Sequence, residues 1–202
     1  MKIAVFGGSF DPMHNGHIAL SQAFAEVLAL DKILVIPAYM SPFKQQQKGA
    51  ATPQQRLTMC RLALEDYPNT EVSDVELQRE GPSYTADTLQ VLSERYPDSE
   101  LFLITGADAF MTLQDWKEPQ TIFRLATICT VPRNEATADT LRQQAAALQA
   151  LGAKTVVADI HVMPVSSTEI RRRVRSGEPL TGLVPERVER YIHDNGLYRV
   201  SL

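Results

Sequence analysis

The chain has 202 residues and a mass of 22.5 kDa, enough to bury roughly 70% of its unfolded surface in one core. With 44% hydrophobic and 22% charged residues it is not a disordered, collagen-like or disulfide-knotted chain. Twenty Lys and Arg stand against 24 Asp and Glu, a net charge of -4, so no global positive field exists to hold nucleic acid or an anionic membrane, and any anion site must be local.

Along the chain, short β-branched runs alternate with longer amphipathic stretches. A strand is predicted over 2–6 and a helix over 16–29, joined by a turn that carries Gly7, Gly8 and His14 and runs into Gly16 and His17. A strand over 32–36 leads into the longest connection without regular structure, 37–51, and then a helix over 53–65. That helix is announced by Thr52-Pro53-Gln54-Gln55, with a capping hydroxyl, Pro at the first helical position and Gln three residues after the cap. Next come a strand over 70–75, a helix over 84–95, a strand over 100–105, a helix over 107–113, a strand over 126–131, a helix over 137–151 and a strand over 155–162. Two helices, 167–176 and 185–194, close the chain. Ser166-Ser167-Thr168-Glu169 reads as a second capping box, and Gly177 and Asn195-Gly196 are stop signals.

Strands alternating with helices predict βαβ units: an α/β fold with a doubly wound, mainly parallel sheet and C-terminal helices, in a single domain over 1–202. The opening Met1–Phe6 is too short for a signal-peptide core, and no apolar run reaches membrane-spanning length. Cys60 and Cys129 form no CxxC pair, which suggests neither a zinc site nor a disulfide framework, and a reducing cytoplasm is the expected location.

The segment Gly7-Gly8-Ser9-Phe10-Asp11-Pro12-Met13-His14-Asn15-Gly16-His17 joins the first strand to the first helix. A Gly-rich turn there presents backbone N–H groups and the positive end of a helix dipole at the carboxyl edge of a sheet, which suits phosphate. It lacks the Lys of a GxxxxGK[ST] loop and the spacing of GxGxxG. His14 and His17, three residues apart, can lean to one side of the helix start, with Gly16 leaving room for a ligand. Plain polar loop residues, or a metal-binding pair without further ligands, are the alternatives.

The second segment is Val165-Ser166-Ser167-Thr168-Glu169-Ile170-Arg171. The hydroxyls of Ser166, Ser167 and Thr168 and the guanidinium of Arg171 could take a second phosphate cluster, while Arg172, Arg173 and Arg175 read as a solvated helix face.

With an HxGH turn after the first strand and an SSTxxR-type signature near the C-terminus, the chain resembles the nucleotidyltransferases, and over almost its whole length the bacterial nicotinate mononucleotide adenylyltransferases. The resemblance implies a Rossmann-like nucleotidyltransferase fold. It also implies transfer of AMP from ATP to nicotinate mononucleotide in NAD biosynthesis, releasing pyrophosphate. Ser41-Pro42-Phe43-Lys44 resembles the family loop whose Lys contacts substrate phosphate, with Phe43 where many members have His. Gly81-Pro82-Ser83-Tyr84-Thr85 resembles its pyridine-recognition turn, and Trp116 matches the aromatic on which the pyridine stacks. Gly106-Ala107-Asp108 and Val131-Pro132-Arg133 resemble nucleotide-contact turns, and Gly8 and Ser9 belong to the phosphate-binding one. In that resemblance His17 serves the α-phosphate, His14 and Arg171 the β- and γ-phosphates, and Lys44 the attacking phosphate.

A helix N-terminus favours a carboxylate over a neutral carboxamide, which agrees with nicotinate. A phosphate monoester has its second pKa near 6, so the nucleophile needs no general base. Mg²⁺ is expected on the ATP phosphates through water, with no protein-held metal. No nucleic acid or membrane partner is expected, and a homo-oligomer is left open. Three other readings remain: phosphopantetheine adenylyltransferase, an RNA ligand of the class I synthetase kind, and a nucleotide sensor without turnover.

Overall fold

A computed structural model describes residues 1–42, 49–132, 135–161 and 163–199. The six strands are β1 (Lys2–Gly8), β2 (Lys32–Pro37), β3 (Thr70–Val72), β4 (Glu100–Ile104), β5 (Ala126–Thr130) and β6 (Lys154–Val157). They form one sheet in the order β3-β2-β1-β4-β5-β6. β1 runs parallel to β4 with Lys2 opposite Glu100, β4 parallel to β5 with Leu101 opposite Ala126, and β5 parallel to β6 with Thr127 opposite Lys154.

The central strands carry unbroken apolar runs, and Ile3–Phe6, Ile33–Pro37 and Leu101–Ile104 are buried on consecutive residues. Such runs need cover on both faces of a sheet, which helices between parallel strands provide. The outer strands β3 and β6 are short and half-buried to exposed. Sequence predicted them longer, over 70–75 and 155–162. An edge strand has one neighbour only, and pairing stops soon after Ser73 N–H meets the Val35 carbonyl and Ala158 N–H meets that of Thr130.

The helices are α1 (Asn15–Val27), α2 (Pro53–Leu64), α3 (Thr85–Arg95), α4 (Ala107–Met111), α5 (Pro119–Leu125), α6 (Glu135–Ala150), α7 (Ser167–Ser176) and α8 (Glu186–Asp194), with a 3₁₀ turn at Leu113–Asp115. The Thr52 capping box forms in full: its hydroxyl accepts from Gln55 N–H, and the Gln55 side chain accepts from Thr52 N–H. Gly177 ends α7 at φ 69. Helix α5 was not predicted; its signal is Pro119 at the first helical position, entered from Glu118 at φ 50.

The chain groups into two compact units. One comprises Met1–Gly7, Ser21–Leu34 and Tyr84–Val162, and the other Gly8–Leu20, Val35–Ser83 and Met163–Leu202. Phe24, Leu89, Leu92, Ile104, Phe110 and Leu113 are fully buried in the first, and Met13, Ile36 and Met59 in the second. Each such side chain contributes about 1.5–3 kcal/mol. Cys60 and Cys129 are buried free thiols, and burial pushes both up, away from reactive thiolate. Among the described residues no helix is long and apolar enough to cross a membrane.

The fold is therefore doubly wound and Rossmann-like. Its strand order reverses between β1 and β4, where open α/β sheets take ligands at the carboxyl ends of strands. β1 ends in the histidine turn and β4 in the Gly106–Asp108 turn.

Candidate active site

In the second unit the two predicted motifs, at opposite ends of the chain, are bonded to one another. Ser167 Oγ donates to the Pro12 carbonyl at 3.0 Å and Arg171 Nη1 to that of Asp11 at 2.7 Å. Arg171 Nη2 also reaches Thr168 Oγ1 at 3.3 Å. Ser166 caps α7, its hydroxyl accepting from Glu169 N–H at 3.2 Å. The start of α1 is tied down as well, Asn15 donating to the carbonyls of Leu183 and Gly182, both at 2.9 Å.

The two histidines form a stacked pair, with ring centroids 3.5 Å apart and planes 18° from parallel. Each ring accepts from the other residue's backbone: His14 N–H to His17 Nδ1 at 3.3 Å, and His17 N–H to His14 Nδ1 at 3.2 Å. An accepting Nδ1 carries no proton, so in each neutral ring Nε2 is the donor. Phe10 packs on the pair as well, its ring meeting His17 edge-on at 5.1 Å and 82°. To do so Phe10 adopts φ 46, a left-handed conformation costing about 1–2 kcal/mol in a non-glycine residue.

The glycines serve this packing. A Cβ on Gly8 would come within 3.0 Å of the Phe10 ring. One on Gly16 would meet the His14 ring at 3.2 Å and the Met163 carbonyl at 3.3 Å. The space expected for a ligand at Gly16 thus holds the chain's own histidine.

His14 is 5% exposed, and burial pushes its imidazole down to about 4, a backbone hydrogen bond opposing in part. At neutral pH it is an uncharged N–H donor. The unfolded chain binds the His14 proton below about 6.5 and the folded chain only near 4, so this contribution to stability is complete above 6.5 and is lost as pH falls through that window. The loss is about 1.4 kcal/mol per pH unit and about 3 kcal/mol in all. Urea unfolding between pH 7 and 4 should show this slope, and His14→Gln should flatten it; equal slopes for the two proteins would refute the assignment.

The first unit holds the other predicted residues. Tyr84 precedes α3 and Thr85 opens it, with no side-chain cap at that terminus. The Lys117 ammonium lies 4.6 Å from the centre of the Tyr84 ring and 3.2 Å from both Asp87 carboxylate oxygens. Trp116, half-buried, donates from Nε1 to Thr112 Oγ1 at 3.3 Å. Gly106 is the cap residue of α4, and Asp108, exposed, sits in its first turn. Lys44 and Arg133 lie outside the described residues, as does Phe43.

Residues 5–173 match the cytidylyltransferase-like family. A "probable nicotinate-nucleotide adenylyltransferase" of Roseiflexus sp. (strain RS-1) is 42% identical over 197 residues, 98% of this chain and 98% of its own. The chain belongs to the nicotinate-nucleotide adenylyltransferase family. It is an enzyme, an adenylyltransferase of NAD biosynthesis. A family member of the same description from Thermus thermophilus is 39% identical over 98% of this chain and all of its own. The fold of this adenylyltransferase is shared with the Plasmodium falciparum nicotinic acid mononucleotide adenylyltransferase complexed with NaAD, at TM-score 0.79 and 17% identity, over 98% of this chain and 97% of that one.

Sequence reasoning missed three residues that hold the adenylyltransferase's histidine turn. Arg56, 7% exposed, donates from Nη1 to the Ser9 carbonyl at 2.7 Å and from Nη2 to those of Ala38 and Tyr39 at 2.6 and 3.1 Å. Its signal was readable: it stands on the same helical face as Met59, Cys60, Ala63 and Leu64, all buried. Phe10 and Tyr198 gave no such signal. Arg172 and Arg173 match the reading of a solvated face, paired with Glu169, and Arg172 also with Glu178.

Proposed function

We propose that this chain, as a single nucleotidyltransferase domain of the cytoplasm, joins the AMP moiety of ATP to nicotinate mononucleotide. The phosphate of nicotinate mononucleotide attacks the α-phosphorus in line. A new P–O bond forms, the bond to the β-phosphate bridging oxygen breaks, and pyrophosphate leaves with that electron pair. The observation that carries this reading is the joining of the histidine turn to the start of α7, which gathers His14, His17, Thr168 and Arg171 around one short stretch of chain.

These groups are donors, suited to oxyanions rather than to a metal. Among the described residues no three His, Cys, Asp or Glu side chains cluster as a metal would need. Mg²⁺ belongs on the ATP phosphates, where it offsets their charge. His17 serves the α-phosphate, His14 and Arg171 the β- and γ-phosphates, and Gly8, Ser9, Ser166 and Ser167 shape the pocket around them. Ser167 does so by holding Pro12. Lys44 takes the attacking phosphate, and Asp108, Gly106 and Arg133 the nucleotide. The start of α3 at Tyr84 and Thr85 receives the nicotinate carboxylate, with Trp116 beneath the pyridine ring.

The test is pyrophosphate release from ATP and Mg²⁺ with nicotinate mononucleotide, nicotinamide mononucleotide or phosphopantetheine. A carboxylate at an uncapped helix start predicts a kcat/KM about 10–100-fold higher for nicotinate than for nicotinamide mononucleotide. Equal values would overturn that recognition, and release with phosphopantetheine alone would overturn the substrate. ATP binding without release would favour a sensor.

A further inference from the structure

The histidine turn that is to receive the phosphates contains a carboxylate, Asp11, three residues before His14. A free anion there would repel the triphosphate and compete with it for Arg171, which already bonds the Asp11 carbonyl at 2.7 Å. The fold deals with this charge from the far end of the chain. Tyr198 donates its hydroxyl to Asp11 Oδ1 at 2.6 Å, and Ala51 N–H donates to the same oxygen at 3.2 Å. Tyr198 is 5% exposed, its hydroxyl also 4.0 Å from Met59 Sδ. Its backbone is held at φ 63, unfavourable for a tyrosine, and such strain persists where surrounding contacts over-determine it. The segment reaches this position because α8 packs on α2 and turns back through Gly196, with Leu197 N–H bonded to the Ile192 carbonyl at 3.0 Å.

We propose that Tyr198 is a positioning residue for ATP binding: its phenol holds the Asp11 carboxylate out of competition for Arg171. This rests on the assignment of Arg171 to the ATP phosphates. Without the phenol, the Asp11 carboxylate loses its shortest hydrogen bond and turns to the Arg171 guanidinium, which already bonds the carbonyl of the same residue. ATP must then displace a carboxylate from Arg171.

The experiment compares Tyr198→Phe, Asp11→Asn and the double variant in steady-state pyrophosphate release. Tyr198→Phe should raise KM for ATP about tenfold, the scale of a hydrogen bond to a charged group, while kcat stays within about threefold. In the Asp11→Asn background the same substitution should change KM for ATP less than twofold, because no charge remains to be freed. A tenfold rise in both backgrounds, or none in the wild-type background, would overturn the proposal. If Tyr198→Phe alone does not fold, Asp11→Asn still tests it by isothermal titration with ATP. The neutral amide should bind ATP as tightly as wild type or more so, and a tenfold weaker affinity would overturn the proposal. Failure of the wild-type protein to release pyrophosphate would instead refute the underlying assignment.

Discussion

Replacing His17 by alanine should lower kcat for pyrophosphate release about 10²–10³-fold, the scale of removing one preorganised donor from a developing anion. The ring is held for that task. His14 N–H fixes its Nδ1 as an acceptor, the His14 imidazole stacks on one face and Phe10 meets it edge-on. A donor fixed before reaction spends no reorganisation as charge moves toward the leaving pyrophosphate. KM for ATP should change less than kcat, because the transition state carries more charge at that position than the ground state. His17 is only half-buried, so its loss should cost about 1 kcal/mol in unfolding free energy, checked by urea titration. A kcat within threefold of wild type would remove His17 from the mechanism.

How much of this was legible in the sequence depends on the separation of the partners. The Thr52 capping box and the histidine spacing are local, written within four residues, and present as read, whereas at Ser166 only half of the expected box forms, because the Glu169 carboxylate turns to Arg172 and Arg173 instead of the Ser166 N–H. The mainly parallel, doubly wound sheet followed from the alternation of elements, whereas its strand order has no signal within any one element. The edges were less readable, because apolar residues continue past the point where a strand with one neighbour stops pairing. Gly16 shows a different limit. A glycine announces close approach without naming what approaches, and here it is His14 rather than a ligand. Tyr198 and Asp11 lie 187 residues apart, and neither carries a local pattern that names the other.

Replacing Arg56 by methionine should lower the unfolding free energy by about 3–5 kcal/mol. Burial draws the guanidinium below the usual arginine range, with the charge of Asp11 the foremost of the opposing influences, and the group remains a cation. Its value lies in the carbonyls it serves. Ser9 stands just after β1, and Ala38 and Tyr39 just after β2, so one fork ties together the chain leaving two adjacent strands. Methionine fills similar volume and leaves three acceptors without that donor, at about 1–3 kcal/mol each where water cannot reach them. Relief of the buried charge offsets part of the sum. Lysine should recover little, since one ammonium cannot present a planar fork to carbonyls on two segments. Guanidinium titration at constant m-value measures the loss, and a change below about 1 kcal/mol would refute it. Because Ser9 leads directly into Phe10 and the histidine pair, the folded fraction of Arg56→Met should also show a reduced kcat, coupling stability to catalysis through a residue that touches no substrate.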